Sequence, residues 1–146
     1  KDNALVDLFA RKCRLKVKEA EDKEPLAPGT IYFAPPDYHL LVETAETLAL
    51  SSDEAVNHSR PAIDVLFETA ADAFGSALAA IVLTGANHDG AQGLKAVCEA
   101  GGRAFVQDPA TAEVATMPEA ALAACPAALT IRLDDIPNAL QAMLEE

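Results

Sequence analysis

A carboxylate placed where an apolar run gives way to a helix is the residue of this chain best positioned for chemistry. The run Leu78-Ala-Ala-Ile-Val-Leu-Thr84 lacks the alternation of a half-exposed strand and predicts a strand buried on both faces of a parallel sheet. Through Leu83-Thr-Gly-Ala-Asn-His-Asp-Gly-Ala-Gln-Gly93 it leads into a helix predicted from Asp89 to Ala100. Ala91, Leu94, Ala96 and Val97 form the apolar side of that helix and Gly101-Gly102 its stop. Asp89 then lies at the carboxyl edge of the sheet and at a helix N-terminus, where backbone N–H groups hold a carboxylate in its charged form. The structural role open to it is an N-cap that accepts from the Gln92 backbone while the Gln92 side chain reaches back. Glycines at 85, 90 and 93 allow unusual backbone angles and close approach by another chain or a ligand. Their spacing is neither G-x-G-x-x-G nor that of a phosphate loop, which would need Gly-Lys-Ser/Thr where Gly93-Leu94-Lys95 stands.

The partners that such a carboxylate would need for hydrolysis do not stand beside it. None of Ser51, Ser52, Ser59 and Ser76 sits in G-x-S-x-G; Ser76 follows Gly75, but Leu78 takes the second glycine's place. His58-Ser59 and His88-Asp89 are chain neighbours, whose side chains point apart, so Ser59 is read as a helix cap. His39, after Pro35-Pro-Asp-Tyr38, is read as packing or hydrogen bonding in its turn, with a place in a site as the alternative. Three histidines and three cysteines without C-x-x-C, H-x-x-x-H or a tight cluster suggest no metal ligand set, and no cofactor is expected.

The 146 residues, 51% hydrophobic, are enough to bury one core, and a single domain over residues 1–146 is expected. A formal charge of -12 excludes the basic face that nucleic-acid binding requires. The nearest approach to one, Arg11-Lys-Cys-Arg-Leu-Lys-Val-Lys18, is read as a solvated strand or helix face. Cys13, Cys98 and Cys125 are widely spaced and odd in number, which predicts reduced thiols in the cytoplasm. No apolar stretch reaches the roughly 18 residues that span a membrane. The chain opens on Lys1 rather than Met and shows no signal peptide, although any targeting signal ahead of Lys1 would be lost with that end.

The elements that must position Asp89 follow from periodicity. Asp2 to Cys13 carries Leu5, Leu8 and Phe9 at helical spacing, and Leu15-Lys-Val begins a short strand. After Pro28-Gly29, Thr30 to Ala34 reads as a strand, and Leu40-Leu-Val-Glu43 with Thr47-Leu-Ala-Leu50 as a β-hairpin. A helix follows, capped by Ser59 with Pro61 in its first turn, burying Ile63, Leu66, Phe67, Ala70 and Phe74 and ending at Gly75. Beyond Asp89 come a strand over Arg103 to Gln107, a helical turn over Pro109 to Val114 and a helix from Met117-Pro118 through Ala124. A strand near Leu129 to Leu133 and a helix from Ile136 close the chain. This alternation predicts a three-layer α/β fold: a doubly wound, mostly parallel sheet with an inserted β-hairpin.

Six segments in this order resemble the catalytic domain of the bacterial chemotaxis protein-glutamate methylesterase. They are Pro28-Gly-Thr-Ile-Tyr-Phe-Ala-Pro35 with His39-Leu40, Ser59-Arg-Pro-Ala-Ile-Asp-Val-Leu-Phe67, Leu83 to Gly93, Ala100-Gly-Gly102, Gln107-Asp108 and Met117-Pro118. The resemblance implies a carboxylic-ester hydrolase that removes methyl groups from receptor glutamates by a Ser-His-Asp mechanism. It makes Asp89 the triad acid and the backbone N–H of Ala86 the oxyanion donor. The family's serine, in a G-A-S-x-G-G turn, and its histidine have no counterpart here. Both would precede Lys1 together with two central strands, so the chain alone is expected to be inactive. The implied partners are a methylated chemoreceptor or related sensory protein, and a receptor methyltransferase or a receiver domain; neither nucleic acid nor membrane insertion is implied. The rival reading is a non-catalytic scaffold module docking to receptors or a methyltransferase, with a nucleotide-binding α/β domain a distant third.

Overall fold

The computed structural model describes residues 14–44 and 46–144, so the helix expected over Asp2 to Cys13 lies outside the described residues. Strand β1 (Lys16–Glu19) pairs in parallel with β2 (Thr30–Phe33), and β3 (His39–Val42) pairs antiparallel with β4 (Leu48–Ser51) as the expected hairpin. Alternation then sets in: α1 (Ile63–Phe74), β5 (Ala79–Val82), α2 (Ala91–Glu99), β6 (Arg103–Gln107), α3 (Thr116–Ala124), β7 (Leu129–Ile131) and α4 (Ile136–Leu144). β5, β6 and β7 are hydrogen-bonded in that order and all parallel, Ala80 opposite Ala104 and Val82 opposite Val106. The architecture is α/β with mostly parallel strands and one antiparallel hairpin. Among the described residues the parallel strands form two blocks, β1-β2 and β5-β6-β7, that do not pair with each other.

Each crossover is short enough to lay its helix back on the strands it joins. α2 rests on β5 and β6 and packs against α1 on one side and α3 on the other. Leu94 and Val97 from α2 meet Val82 and Val106 from the strands, and all four are fully enclosed. Burying side chains of this size contributes about 1.5–3 kcal/mol each. A smaller cluster of Ala20, Leu40 and Leu48 fills the space under the hairpin, with Leu66 reaching it from α1. The Thr69 hydroxyl of α1 also accepts the Val42 N–H at 3.0 Å, which ties the hairpin to the helix.

Four expectations are corrected. β5 was expected to be covered on both faces, yet Ala79 is exposed and Ile81 half-buried while Ala80 and Val82 are buried; β5 is an edge strand of its block, and one face is thinly covered. Ser59 does not cap α1 and Pro61 lies ahead of the helix, which starts only at Ile63, behind Ala62 and a cis Arg60–Pro61 peptide. The helical turn after Pro109 stops at Thr111, short of Val114. The thiols are also not all free: Cys98, in the last turn of α2, is disulfide-bonded to Cys125, the residue that ends α3. Side-by-side packing of α2 and α3 brings together two cysteines 27 residues apart, which spacing alone hides, and it removes the cysteine argument for a reducing compartment. No helix among the described residues is long and apolar enough to cross a membrane.

Helices α1 and α2 pack tightly at Gly93, where an added Cβ would stand 2.6 Å from Phe67 Cβ and 3.1 Å from Asp64 Cα. Neither is the free end of a flexible side chain, so the helices themselves must part. Gly93→Ala is therefore expected to lower stability by about 1–3 kcal/mol despite alanine's better helix propensity. Urea unfolding measures this, and a midpoint at or above the parent's would show that the helices separate without cost.

Candidate active site

Asp89 is buried, 4% exposed, and its carboxylate caps a helix other than the one it precedes. Oδ2 accepts the Ile63 N–H at 2.7 Å and Oδ1 the Asp64 N–H at 3.1 Å, the first N–H groups of α1. The expected box with Gln92 is absent because α2 starts one residue later, behind Gly90, whose φ of 99° is closed to most side chains. The N-terminus of α2 is capped instead by Asp64, the second residue of α1: its Oδ1 accepts from Gly90 N at 2.9 Å and Gly93 N at 2.7 Å. Two helices thus exchange caps. Each carboxylate neutralises N–H groups that would otherwise be orphaned and sits at the positive end of the other's dipole.

A single amide joins the two acids. Asn57 Nδ2 donates to Asp64 Oδ2 at 2.8 Å and to Asp89 Oδ1 at 2.9 Å. Asn57 and His58 both have left-handed backbone, φ 54° and 61°, in a two-residue turn closed by Val56 and Ser59 in both directions. Asn is among the few side chains that tolerate that conformation. The segment carrying the turn is tied down on either side. Arg60 binds Asp37 Oδ1 through Nη2 at 2.8 Å and the Ser52 and Asp53 carbonyls through Nη1. His39, 2% exposed, donates from Nε2 to the Glu54 carbonyl at 2.8 Å and accepts the Ala62 N–H on Nδ1. Both ring nitrogens are occupied, so His39 is the hydrogen-bonding turn residue of the first expectation and leaves no ring nitrogen for a ligand.

The turn between β5 and Asp89 is held from the other side. Buried Gln107, at the end of β6, accepts the Thr84 N–H, and Gly85 exchanges backbone bonds with Val114 and Met117. The Asp89 N–H is taken by the Asn87 side chain at 2.9 Å. Ala86 lies exposed in this turn, and its N–H meets no acceptor among the described residues. Asp89 Oδ2 carries one hydrogen bond there although a carboxylate oxygen has room for two. Among the described residues the site therefore offers one unfilled acceptor position on a fixed, buried carboxylate and, at exposed Ala86, an N–H without an acceptor. Close by on α1, burial and then the neighbouring charges of Asp64 and Asp72 push the Glu68 carboxyl above its ordinary range.

Of the residues singled out in the sequence, the structure assigns Asp89 and Ala86 to one turn, while Ser59, His58 and His88 make no bond to the Asp89 carboxylate. Asn57 and Asp64 were missed. The signal for Asn57 was the Asn-His pair itself, a tight-turn dipeptide between apolar Val56 and polar Ser59; Asp64 was hidden as an ordinary first-turn acid. Among the described residues no group of three or more His, Cys, Asp or Glu is arranged to hold a metal.

Mostly parallel strands, with a buried carboxylate in the turn that follows one of them, define an α/β domain. Comparison with known proteins makes the class specific. The family described as CheB methylesterase matches residues 1–140. A Leptospira interrogans protein provisionally named protein-glutamate methylesterase/protein-glutamine glutaminase is 50% identical over 129 residues, covering 88% of this chain and 67% of that protein. The protein-glutamate methylesterase/protein-glutamine glutaminase of Chromohalobacter salexigens is 40% identical over 136 residues, 91% of this chain but only 38% of that one. The crystal structure of the Thermotoga maritima CheB methylesterase catalytic domain superposes with a TM-score of 0.88 at 32% identity, covering 94% of this chain and 74% of that one. The chain belongs to the CheB methylesterase family.

The cap exchange sets a clear expectation for Asp64. Asp64→Ala strands the buried N–H groups of Gly90 and Gly93, and each unsatisfied donor costs about 1–3 kcal/mol. Amide hydrogen exchange should then speed up at the start of α2 well before the rest of the helix. Unchanged protection at Gly90 and Gly93 would mean that other acceptors replace the carboxylate.

Proposed function

We propose that this chain supplies the acid and the oxyanion donor of a Ser-His-Asp hydrolase that cleaves glutamate methyl esters on chemotaxis-receptor proteins. The observation that carries the reading is the Asp89 carboxylate: buried, fixed by donors on both oxygens, with one acceptor position left on Oδ2. That is what a histidine Nδ1–H needs. Asp89 holds the imidazole in the right tautomer and stabilises the imidazolium that forms when the histidine takes the serine proton. Serine Oγ attacks the ester carbonyl, and the developing oxyanion is met by the open Ala86 N–H, whose donation does not depend on the small side chain. The imidazolium returns its proton to the leaving oxygen, methanol departs, and water releases the acyl-enzyme as the free glutamate. The serine and histidine of this scheme are not assigned among the 146 residues. The same acyl chemistry with ammonia as leaving group serves glutamine, the second activity in the relatives' names.

The test uses the full-length polypeptide that carries these residues and follows methanol release from methylated receptor. Asp89→Ala strips the cap from α1 altogether; Asp89→Asn, its folded fraction checked by circular dichroism, loses only the acceptor for the Ile63 N–H and keeps an oxygen for the Asp64 N–H and Asn57. It is expected to lower kcat by about 10⁴-fold with the substrate still bound. Release at the parental rate would make Asp89 a helix cap only, and a parent that releases no methanol would refute the esterase reading altogether.

A further inference from the structure

Resting on that reading of Asp89, we infer that Asn57 is a positioning residue of the hydrolysis: its side-chain amide decides which oxygen of Asp89 receives the histidine. Among the described residues Asn57 supplies the single side-chain donor to Asp89; the other two donors are backbone N–H groups of α1. With the Asp64 N–H it fills both acceptor positions of Oδ1, so the carboxylate presents Oδ2 alone. A carboxylate with both oxygens half-free would offer two competing orientations to an imidazole. One with a saturated Oδ1 offers one.

The bonds that cap α1 and α2 run between the carboxylates and backbone N–H groups and do not pass through Asn57. Its own contribution is to the direction of the acids. Asp64 and Asp89 are 3% and 4% exposed, and one amide gives the two buried side chains a shared donor. Asp64 Oδ2 has no other hydrogen-bond partner among the described residues. The turn that delivers the amide is rigid for stated reasons: left-handed backbone at Asn57 and His58, two cross-turn bonds, and the straps from Arg60 and His39. Asn57 touches no substrate in this arrangement. Its loss should therefore appear in kcat and leave KM unchanged.

The experiment measures methanol release by the full-length protein in a double-mutant cycle. Asn57→Gly keeps the left-handed turn and removes the amide; His58→Gly makes the same backbone change one residue on, at an exposed side chain, as the control. Asn57→Gly is expected to reduce kcat about 10–100-fold at constant KM, as removal of an orienting partner does, with His58→Gly near the parent. In an Asp89→Asn background, Asn57→Gly is expected to cost nothing further, because there is no longer a carboxylate to orient. A parental kcat for Asn57→Gly overturns the inference, and so does a loss repeated undiminished in the Asp89→Asn background, which marks a purely structural role. If Asp89→Asn itself runs at the parental rate, the triad reading falls and the positioning role with it. If only Asn57→Gly is harmless, the positioning role falls alone. Should Asn57→Gly fail to fold, Asp64→Asn keeps an oxygen for Gly90 and Gly93 but turns an amide toward Asn57. A smaller loss, again absent without Asp89, supports the inference, and a parental rate overturns it.

Discussion

The exchange of carboxylates between the N-termini of α1 and α2 is the constraint on which the rest of the site depends. Asp89 serves α1 from the end of β5, and Asp64 serves α2 from within α1. Neither helix can start where it does without the other beside it, and Gly93 lets them approach closely enough for the bonds to form. Sequence-local caps would fix each helix to its own preceding loop. Crossed caps fix the two helices to each other and, through β5, to the edge of the parallel strands.

The inserted hairpin gains a purpose from this arrangement. β3 and β4 contribute no group to the carboxylate, yet His39 at the start of β3 holds the Glu54 carbonyl and the Ala62 N–H, the two ends of the segment that bears Asn57. Leu40 and Leu48 pack under the hairpin with Leu66 of α1, and Thr69 bonds to Val42, so the hairpin is joined to the capped helix by both packing and a hydrogen bond. A chain of ordinary interactions thus runs from a small apolar cluster to the orientation of one amide. A buried imidazole with both nitrogens satisfied suits this task, since it bridges an N–H and a carbonyl at once.

The elements were legible from periodicity and punctuation alone. The hairpin, β6, the helix from Met117 to Ala124 and the stop at Gly101 lie close to where the alternation and the glycines put them, because each depends on neighbours a few residues away. The resemblance carried the family and the turn that holds Asp89 and Ala86. What sequence could not supply was everything decided across the fold. Ser59 had the right type and spacing for a cap, but a carboxylate 26 residues from Ile63 took that role. Cys98 and Cys125 looked unrelated until α2 and α3 lay side by side. Asn57 went unread because its partners are 7 and 32 residues away.

Why Asp89 is withheld from its own helix follows from geometry at Gly90. A residue acting as N-cap bends its side chain back onto the N–H groups of its own first turn. In that posture the carboxylate would be committed to α2 and turned from the sheet edge. Left-handed backbone at Gly90 inserts the capping position one residue later and leaves it to a residue with no side chain. The N–H groups of α2 then need an outside acceptor, which Asp64 provides, and the Asp89 carboxylate is released toward α1 and the open side of Oδ2. A β-carbon at residue 90 would stand 3.2 Å from Ile63 Cγ2 and 3.3 Å from Val82 Cγ2 as well as straining the backbone. The glycine after the aspartate is therefore a condition of this geometry: it leaves a buried carboxylate held by donors on both oxygens with one acceptor position of Oδ2 unfilled among the described residues.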